Sequence, residues 1–424
     1  MERLAKSVLI DWKNKPTRKP LIIKGARQVG KTWLMKTFAE EEFDDYVYIN
    51  FERDVQLQTI FTQDYDLKRI LLALEIQSGK EITPKKTLVI LDEIQEAKGG
   101  LTSLKYFNEE LPNLHIVAAG SLLGLSIHEK QSFPVGKVEF LNLNPFSFEE
   151  FLLAKNHQKL IQLIKGREWE LIKTFKSKYI SLLKQYYFVG GMPEAVDAFI
   201  QNENFKEVRE IQNNILNAYE LDFSKYASPN VVPKIKMIWN SILPQLSKEN
   251  KKYIYGLLKQ GARAKEYEDA LLWLENYGLI KRVSRITKPH FPLKSYTDSK
   301  AFKLYIHDVG LLNAMGNVDE KILLEPSKMF SEFKGSLTEQ FVLQELTAKG
   351  VTGYYWSENT AELDFVIEKE NSIVGMEVKA EENLKAKSLK VFNAKYSDTS
   401  CIRFSLSDYR KEDWLVNIPL YAIS

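Results

Sequence analysis

Two hydrophobic rhythms divide this chain. Runs that are apolar at almost every position, Leu21-Ile22-Ile23, Thr87-Leu88-Val89-Ile90-Leu91 and Ile116-Val117-Ala118-Ala119, read as strands covered on both faces, as in a parallel sheet. Tyr46-Val47-Tyr48-Ile49-Asn50-Phe51 adds a strand rich in β-branched and aromatic residues. Between these runs, residues 33–40 and the face formed by Leu67, Ile70, Leu71 and Leu74 repeat at helical spacing. The first 200 residues therefore predict an α/β domain with a parallel sheet.

Beyond about residue 205 the rhythm becomes helical. Ile235, Ile238, Trp239, Ile242 and Leu246 form one stripe, and a second helix over 263–277 turns Tyr267, Ala270, Leu271 and Leu274 inward. Strand-like 279–283, the loop 287–292 and the return strand Lys303-Leu304-Tyr305-Ile306 complete helix, turn, helix and hairpin, the parts of a winged helix-turn-helix. A third pattern begins near 330, with a helix over 335–346, a strand from Tyr354, and two alternating strands over 362–367 and 373–379. A chain of 424 residues exceeds one ordinary core. Three domains are expected, at 1–204, 205–328 and 329–424.

Composition narrows the setting. The apolar runs are strand-sized, short of the ~20 residues of a membrane helix, so no membrane partner is expected. Residues 1–6 lack the apolar core of a secretory signal and Cys401 is the only cysteine, which suits a reducing cytoplasm. The five histidines are scattered with no zinc-like spacing. Net charge is +3, but residues 228–300 hold 14 Lys or Arg against 6 Asp or Glu, an excess of +8 that leaves the remainder near −5. That basic segment predicts attraction to nucleic acid phosphate. Its second helix carries Glu266, Glu268, Asp269 and Glu275 against Arg263 and Lys265, so DNA backbone contact through Lys281, Arg282, Arg285, Lys288 and Lys294 is expected rather than base reading.

The chemistry lies in two places. Gly25-Ala26-Arg27-Gln28-Val29-Gly30-Lys31-Thr32 is a G-x-x-x-x-G-K-T loop between a strand and a helix. Its backbone N–H groups would cradle phosphates, Lys31 would set a charge on the β/γ oxygens, and Thr32 would ligate Mg²⁺. The strand 87–91 ends in Asp92-Glu93, which predicts a metal-holding Asp92 and a water-orienting Glu93. Ser121, after the strand 116–119, is expected to sense the γ-phosphate. Near the C-terminus, Asp364 and the pair Glu377 and Lys379 fall on strands that would face each other across a hairpin.

With Gly25 to Thr32, Leu88 to Glu93, Gly120-Ser121, Leu143-Asn144-Pro145-Phe146-Ser147 and Gly190-Gly191-Met192-Pro193-Glu194, the first 200 residues resemble the AAA+ P-loop ATPases, in particular the bacterial and archaeal group that adds a winged helix and a C-terminal domain of unknown function. The resemblance implies ATP and Mg²⁺ as cofactors and ATP hydrolysis. The group's usual Gly-Arg pair reads Gly136-Lys137 here, and a lysine supplies one point charge where arginine supplies a planar fork. Many AAA+ proteins complete their site with a neighbour's arginine, which keeps a homo-oligomer open. The C-terminal set resembles the PD-(D/E)xK nucleases, with a restriction-endonuclease-like α/β fold. That likeness implies Glu339, Asp364 and Glu377 as Mg²⁺ ligands and Lys379 as the residue that positions the attacking water. The expectation is an ATP-controlled, Mg²⁺-dependent nuclease acting on DNA; its alternative is a nucleotide-operated switch with a non-catalytic docking domain.

Overall fold

A computed structural model describes residues 1–120, 134–324, 331–382 and 384–423. They divide into two compact units, one of residues 2–144 with 276–278 and one of residues 145–275 with 279–424.

The first unit is built on five parallel strands, β1 (Leu21–Lys24), β2 (Asp45–Asn50), β3 (Thr87–Asp92), β4 (His115–Gly120) and β5 (Glu139–Asn142), in the order β2-β3-β4-β1-β5. Every residue of β3 and β4 is buried, as expected of runs apolar on both faces. The helix Leu67–Ser78 covers one face with Leu67, Ile70 and Leu74. Asp66 caps its start by accepting from the Lys68 and Arg69 N–H groups, and left-handed Gly79 ends it. Strand order sets β4 between β1 and β3 and aligns their carboxyl ends, where an α/β sheet binds ligands.

The second unit contains helices over most of 148–246 and an eight-stranded mixed sheet. Its strands are β6 (Ile280–Ile286), β7 (Thr297–Ile306), β8 (Tyr354–Glu358), β9 (Ala361–Lys369), β10 (Ser372–Val378), β11 (Ser400–Ser405), β12 (Arg410–Lys411) and β13 (Val416–Pro419), in the order β12-β13-β11-β10-β9-β8-β6-β7. The hairpin of β6 and β7 follows the helices Val232–Leu246 and Ala264–Asn276, in the expected sequence of elements. It does not stand apart. Strand β6 pairs in parallel with β8 at Arg285 and Tyr355 and at Ile286 and Trp356, and Ile286 and Leu293 share a core with Trp356, Leu363, Val366 and Phe392. The sheet therefore runs across the expected boundary at 328/329, and the one at 204/205 falls inside this unit.

Short motifs from distant parts of the sequence meet at one packing centre of the second unit. Buried Asp308 accepts from Leu311 N at 2.9 Å, capping the helix Val309–Met315, and from Gly191 N at 2.6 Å. Gln344 adds a third bond to Asp308 at 3.2 Å and accepts from Val309 N at 2.8 Å. A Cβ on Gly190 would stand 2.3 Å from Asp308 Oδ1, so only glycine admits this approach. Burial raises the Asp308 carboxyl to about 6, against the four donors that hold it down.

Candidate functional site

The phosphate-type loop leaves β1 and enters the helix Lys31–Glu42, with Gln28 and Gly30 in left-handed conformations at φ 65° and 90°. A Cβ on Gly25 would meet Leu143 O at 2.3 Å, so glycine is the residue that lets the loop pass this backbone. Lys31 is 6% exposed, and its ammonium donates to Gly25 O and Ala26 O at 2.9 Å each. Burial lowers its pKa to about 8 although Glu93 and Asp92 hold it up; Arg27 lowers it further.

Across from the loop, Thr32 Oγ1 donates to Asp92 Oδ2 at 2.7 Å, and the Tyr48 hydroxyl donates to the same oxygen at 3.0 Å. Burial raises the Asp92 carboxyl, the bonds from Thr32 and Tyr48 opposing it. Glu93 adopts φ 50°, uncommon for a residue with a Cβ, and accepts from Gln95 Nε2 at 2.6 Å. Thr32 and Asp92 thus present hard oxygens side by side at the helix N-terminus, a donor set that fits Mg²⁺ beside phosphate.

Two supports were not legible as site residues. Buried Arg3 donates to Val29 O at 3.0 Å and to Asn144 O at 2.6 Å, tying the loop to the segment that follows β5. Tyr48 orients Asp92 from β2, and alternation along that strand was the only sign of it. Ser121 lies outside the described residues; β4 ends at Gly120, between the two motif strands. Lys137 is a correction. It precedes β5, whose first residue Glu139 pairs with Leu21, so it stands at the opposite end of the sheet from Gly25, at least about 13 Å away at a strand's rise per residue. There it pairs with Glu109 at 2.8 Å, both side chains exposed.

The second unit gathers another charged group. Asp364 and Glu377 sit on neighbouring antiparallel strands, and Asp364 Oδ2 accepts from Val378 N at 2.7 Å. Glu377 Oε1 pairs with Lys379 Nζ at 2.8 Å, whereas its Oε2 is buried without a hydrogen bond. Glu339, on the helix Ser331–Ala348, pairs with Lys251 and accepts from the Tyr305 hydroxyl at 3.0 Å. Lys303, wholly buried on β7, stands 2.7 Å from Glu362 Oε1, off the line of a hydrogen bond, which makes the contact Coulombic.

The shifts follow these pairings. Burial would lower the Lys303 ammonium, but Glu339, Glu362 and Asp364 outweigh it and raise it above the ordinary lysine range. Burial would raise Glu339, yet Lys251 and Lys303 hold it below the glutamate range; burial and Glu339 together raise Asp364. Among the described residues no group of three His, Cys, Asp or Glu side chains is gathered to hold a metal ion. Cationic side chains engage two of the three expected ligands, Lys251 on Glu339 and Lys379 on Glu377.

Wing cations are likewise divided. Arg282 grips Glu275 through two bonds at 3.0 and 2.6 Å, and Arg285 pairs with Asp298 at 2.7 Å. Lys281 is largely enclosed, and burial lowers its pKa. Lys288 and Lys294 are exposed between β6 and β7.

Comparison with known proteins matches three family models: an AAA domain over residues 17–152, and two domains of unknown function, DUF8612 over 180–322 and DUF4143 over 334–423. No curated protein matches. Among solved structures, a Walker-type ATPase of Pyrococcus abyssi is similar at 17% identity and TM-score 0.45, over 74% of this chain and 95% of that one. The ORC1 protein of Aeropyrum pernix in complex with DNA is similar at 10% identity and TM-score 0.29, over 74% and 90%. Cdc6p from Pyrobaculum aerophilum follows at 12% and 0.25, over 74% and 91%. No helix among the described residues is long and apolar enough to cross a membrane. Residues 17–152 thus match an AAA domain, and the first unit is an α/β module on a parallel sheet.

Proposed function

We propose that this chain binds ATP with Mg²⁺ in its first unit, hydrolyses it, and uses the change of nucleotide state to operate the second unit as a docking module that holds DNA by its backbone. The observation that carries this reading is the juxtaposition of Lys31, Thr32, Asp92 and Glu93 at the carboxyl ends of β1 and β3. Thr32 and Asp92 would hold the metal ion, which supplies charge neutralisation on the phosphates when bound. Lys31 is a buried cation hydrogen-bonded to neutral carbonyl oxygens, with Glu93 and Asp92 acting on it at longer range, and a phosphate anion in contact would compensate it far better. Glu93 orients the attacking water and receives its proton.

ATP turnover by the purified chain, with Lys31→Ala and Glu93→Gln beside it, tests the reading. Both variants should lose turnover by at least about a hundredfold, as expected when a charge-stabilising or water-orienting group is removed. The Glu93 variant should still bind ATP. Unchanged turnover in either would sink the proposal.

A nuclease reading of the second unit keeps one support, the succession of helix Ser331–Ala348, strands β8, β9 and β10, helix Lys387–Lys395 and strand β11, with Asp364 and Glu377 on adjacent strands. Against it stand Lys251 on Glu339 and Lys303 beside Glu362, which place cations on the carboxylates. DNA cleavage with Mg²⁺ or Mn²⁺ that disappears in Asp364→Asn would reinstate it.

A further inference from the structure

We propose that the carboxylate cluster of the second unit is a self-neutralised lock, in which Lys303 and Lys251 supply the positive charge that a divalent cation would otherwise bring, so that this domain works without metal. The inference deepens the docking reading given above and rests on it only for its biological use.

Three carboxylates and two lysines meet here, Glu339, Glu362 and Asp364 with Lys251 and Lys303, and Glu377 pairs with Lys379 on the strand beside Asp364. Both oxygens of Glu339 are engaged, one by Lys251 and the other by the Tyr305 hydroxyl at 3.0 Å. One Asp364 oxygen is taken by the Val378 N–H. Glu377 lies beside Arg403 in the register of β10 and β11, and Arg403 is 1% exposed. In such a cluster the lysines already supply positive charge, and a divalent ion entering it must compete with them. Lys303 cannot leave: it is wholly buried on a strand hydrogen-bonded along its length to β6. Lys251, on the irregular segment between the helix Val232–Leu246 and Tyr255, is the more mobile counter-ion by position.

The pairings also say what the lock joins. Lys251, Lys303 and Tyr305 come from the helix-and-hairpin segment, whereas Glu339, Glu362 and Asp364 come from the C-terminal helix and β9. Five charged side chains and the Tyr305 hydroxyl thus tie the two sequence regions of this unit together. A buried pair is costly to break from one side, because the remaining charge is left uncompensated.

The test is Mn²⁺ binding, read by electron paramagnetic resonance on the full nucleotide-free chain, together with its melting temperature. The native chain and Asp364→Asn should bind Mn²⁺ alike. Lys303→Ala should melt about 6–10 °C lower and should gain a Mn²⁺ site at least about tenfold tighter than any native one, the space and charge left by one ammonium now open to a cation. Mn²⁺ should restore much of its melting temperature, and Lys303→Ala with Asp364→Asn should lose both the gain and the rescue. Should Lys303→Ala not fold, Lys251→Met, at the rim of the cluster, carries the same expectation with a smaller gain. Mn²⁺ binding by the native chain that Asp364→Asn removes overturns the proposal, as does the absence of any gain in the variant that folds. ATP turnover is measured separately, so failure of the lock and failure of the ATPase reading give different results.

Discussion

Lys31 and Lys303 are both buried lysines, and they are buried in opposite ways. Lys31 is surrounded by the carbonyls of its own loop, with carboxylates only at Coulomb range, and burial pulls its pKa down to about 8. Lys303 has Glu362 at 2.7 Å with Glu339 and Asp364 close by, and its pKa goes up. On the function proposed above, the first is a cation awaiting an anion from outside the chain; the second already has its anions from within it. What separates a binding site from a structural charge cluster is who supplies the counter-charge, and residue type alone does not reveal that.

The largest effect that this contrast predicts is on turnover, where Lys31→Ala and Glu93→Gln should each cost a hundredfold or more and Lys303→Ala should cost little beyond what instability brings. Stability should reverse the order. Removing Lys303 leaves buried carboxylates uncompensated, a loss of about 3–5 kcal/mol. Lys31→Met removes a poorly compensated charge and should leave the nucleotide-free chain as stable or about 1 kcal/mol more so, seen as a melting temperature that stays or rises. A fall of several degrees in Lys31→Met would mean that the loop depends on its lysine as structure, and the contrast would fail.

A smaller effect concerns pH. Glu345 is buried beside the capping box of Ser147 and Glu150, accepts from Phe148 N at 2.8 Å, and is raised by burial to about 7. Its folded pKa exceeds the ordinary 4.5, so it contributes stability that is fully present below about pH 4.5 and lost as the pH rises through 7. His307, lowered by burial to about 4, acts in the opposite sense over part of that window. The difference between native chain and Glu345→Gln isolates the one group, since the amide oxygen can still accept from Phe148. The variant should match the native stability near pH 4.5 and exceed it near pH 8 by up to about 3 kcal/mol, read from unfolding curves at each pH. Equal curves across the range would place Glu345 in a wetter setting.

The two sites also differ in how far the sequence announced them. The loop, Asp92 and Glu93 were legible because their chemistry is contiguous: each follows a fully apolar strand, and the parallel sheet brings such strand ends to one edge. Lys137 misled for the complementary reason. A Gly-Lys pair carries no sign of which end of the sheet it occupies, and pairing of Glu139 with Leu21 decides that. In the second unit the acidic residues could be found by spacing, but Lys251 and Lys303 precede Glu339 by 88 and 36 positions and reach it only through tertiary packing. The bond of Asp308 to Gly191, across 117 positions, left no sign in the sequence.

The smallest expected effect separates paired from unpaired cations on the hairpin. Arg282 and Arg285 are committed to Glu275 and Asp298, whereas Lys288 and Lys294 lie exposed in the connection between β6 and β7. If DNA is held by its backbone, each phosphate contact contributes about −0.9 to the slope of log affinity against log salt. Lys288→Gln with Lys294→Gln should then weaken duplex binding several-fold at low salt, flatten that slope by about 2, and act equally on unrelated sequences. Arg282→Gln should leave the slope unchanged and lower stability instead, because it strands Glu275, whose carboxyl burial already raises. A slope that responds to Arg282 and ignores the two lysines would mean that the ion pairs open on binding, and that the basic excess of residues 228–300 reaches DNA by a face other than the hairpin loop.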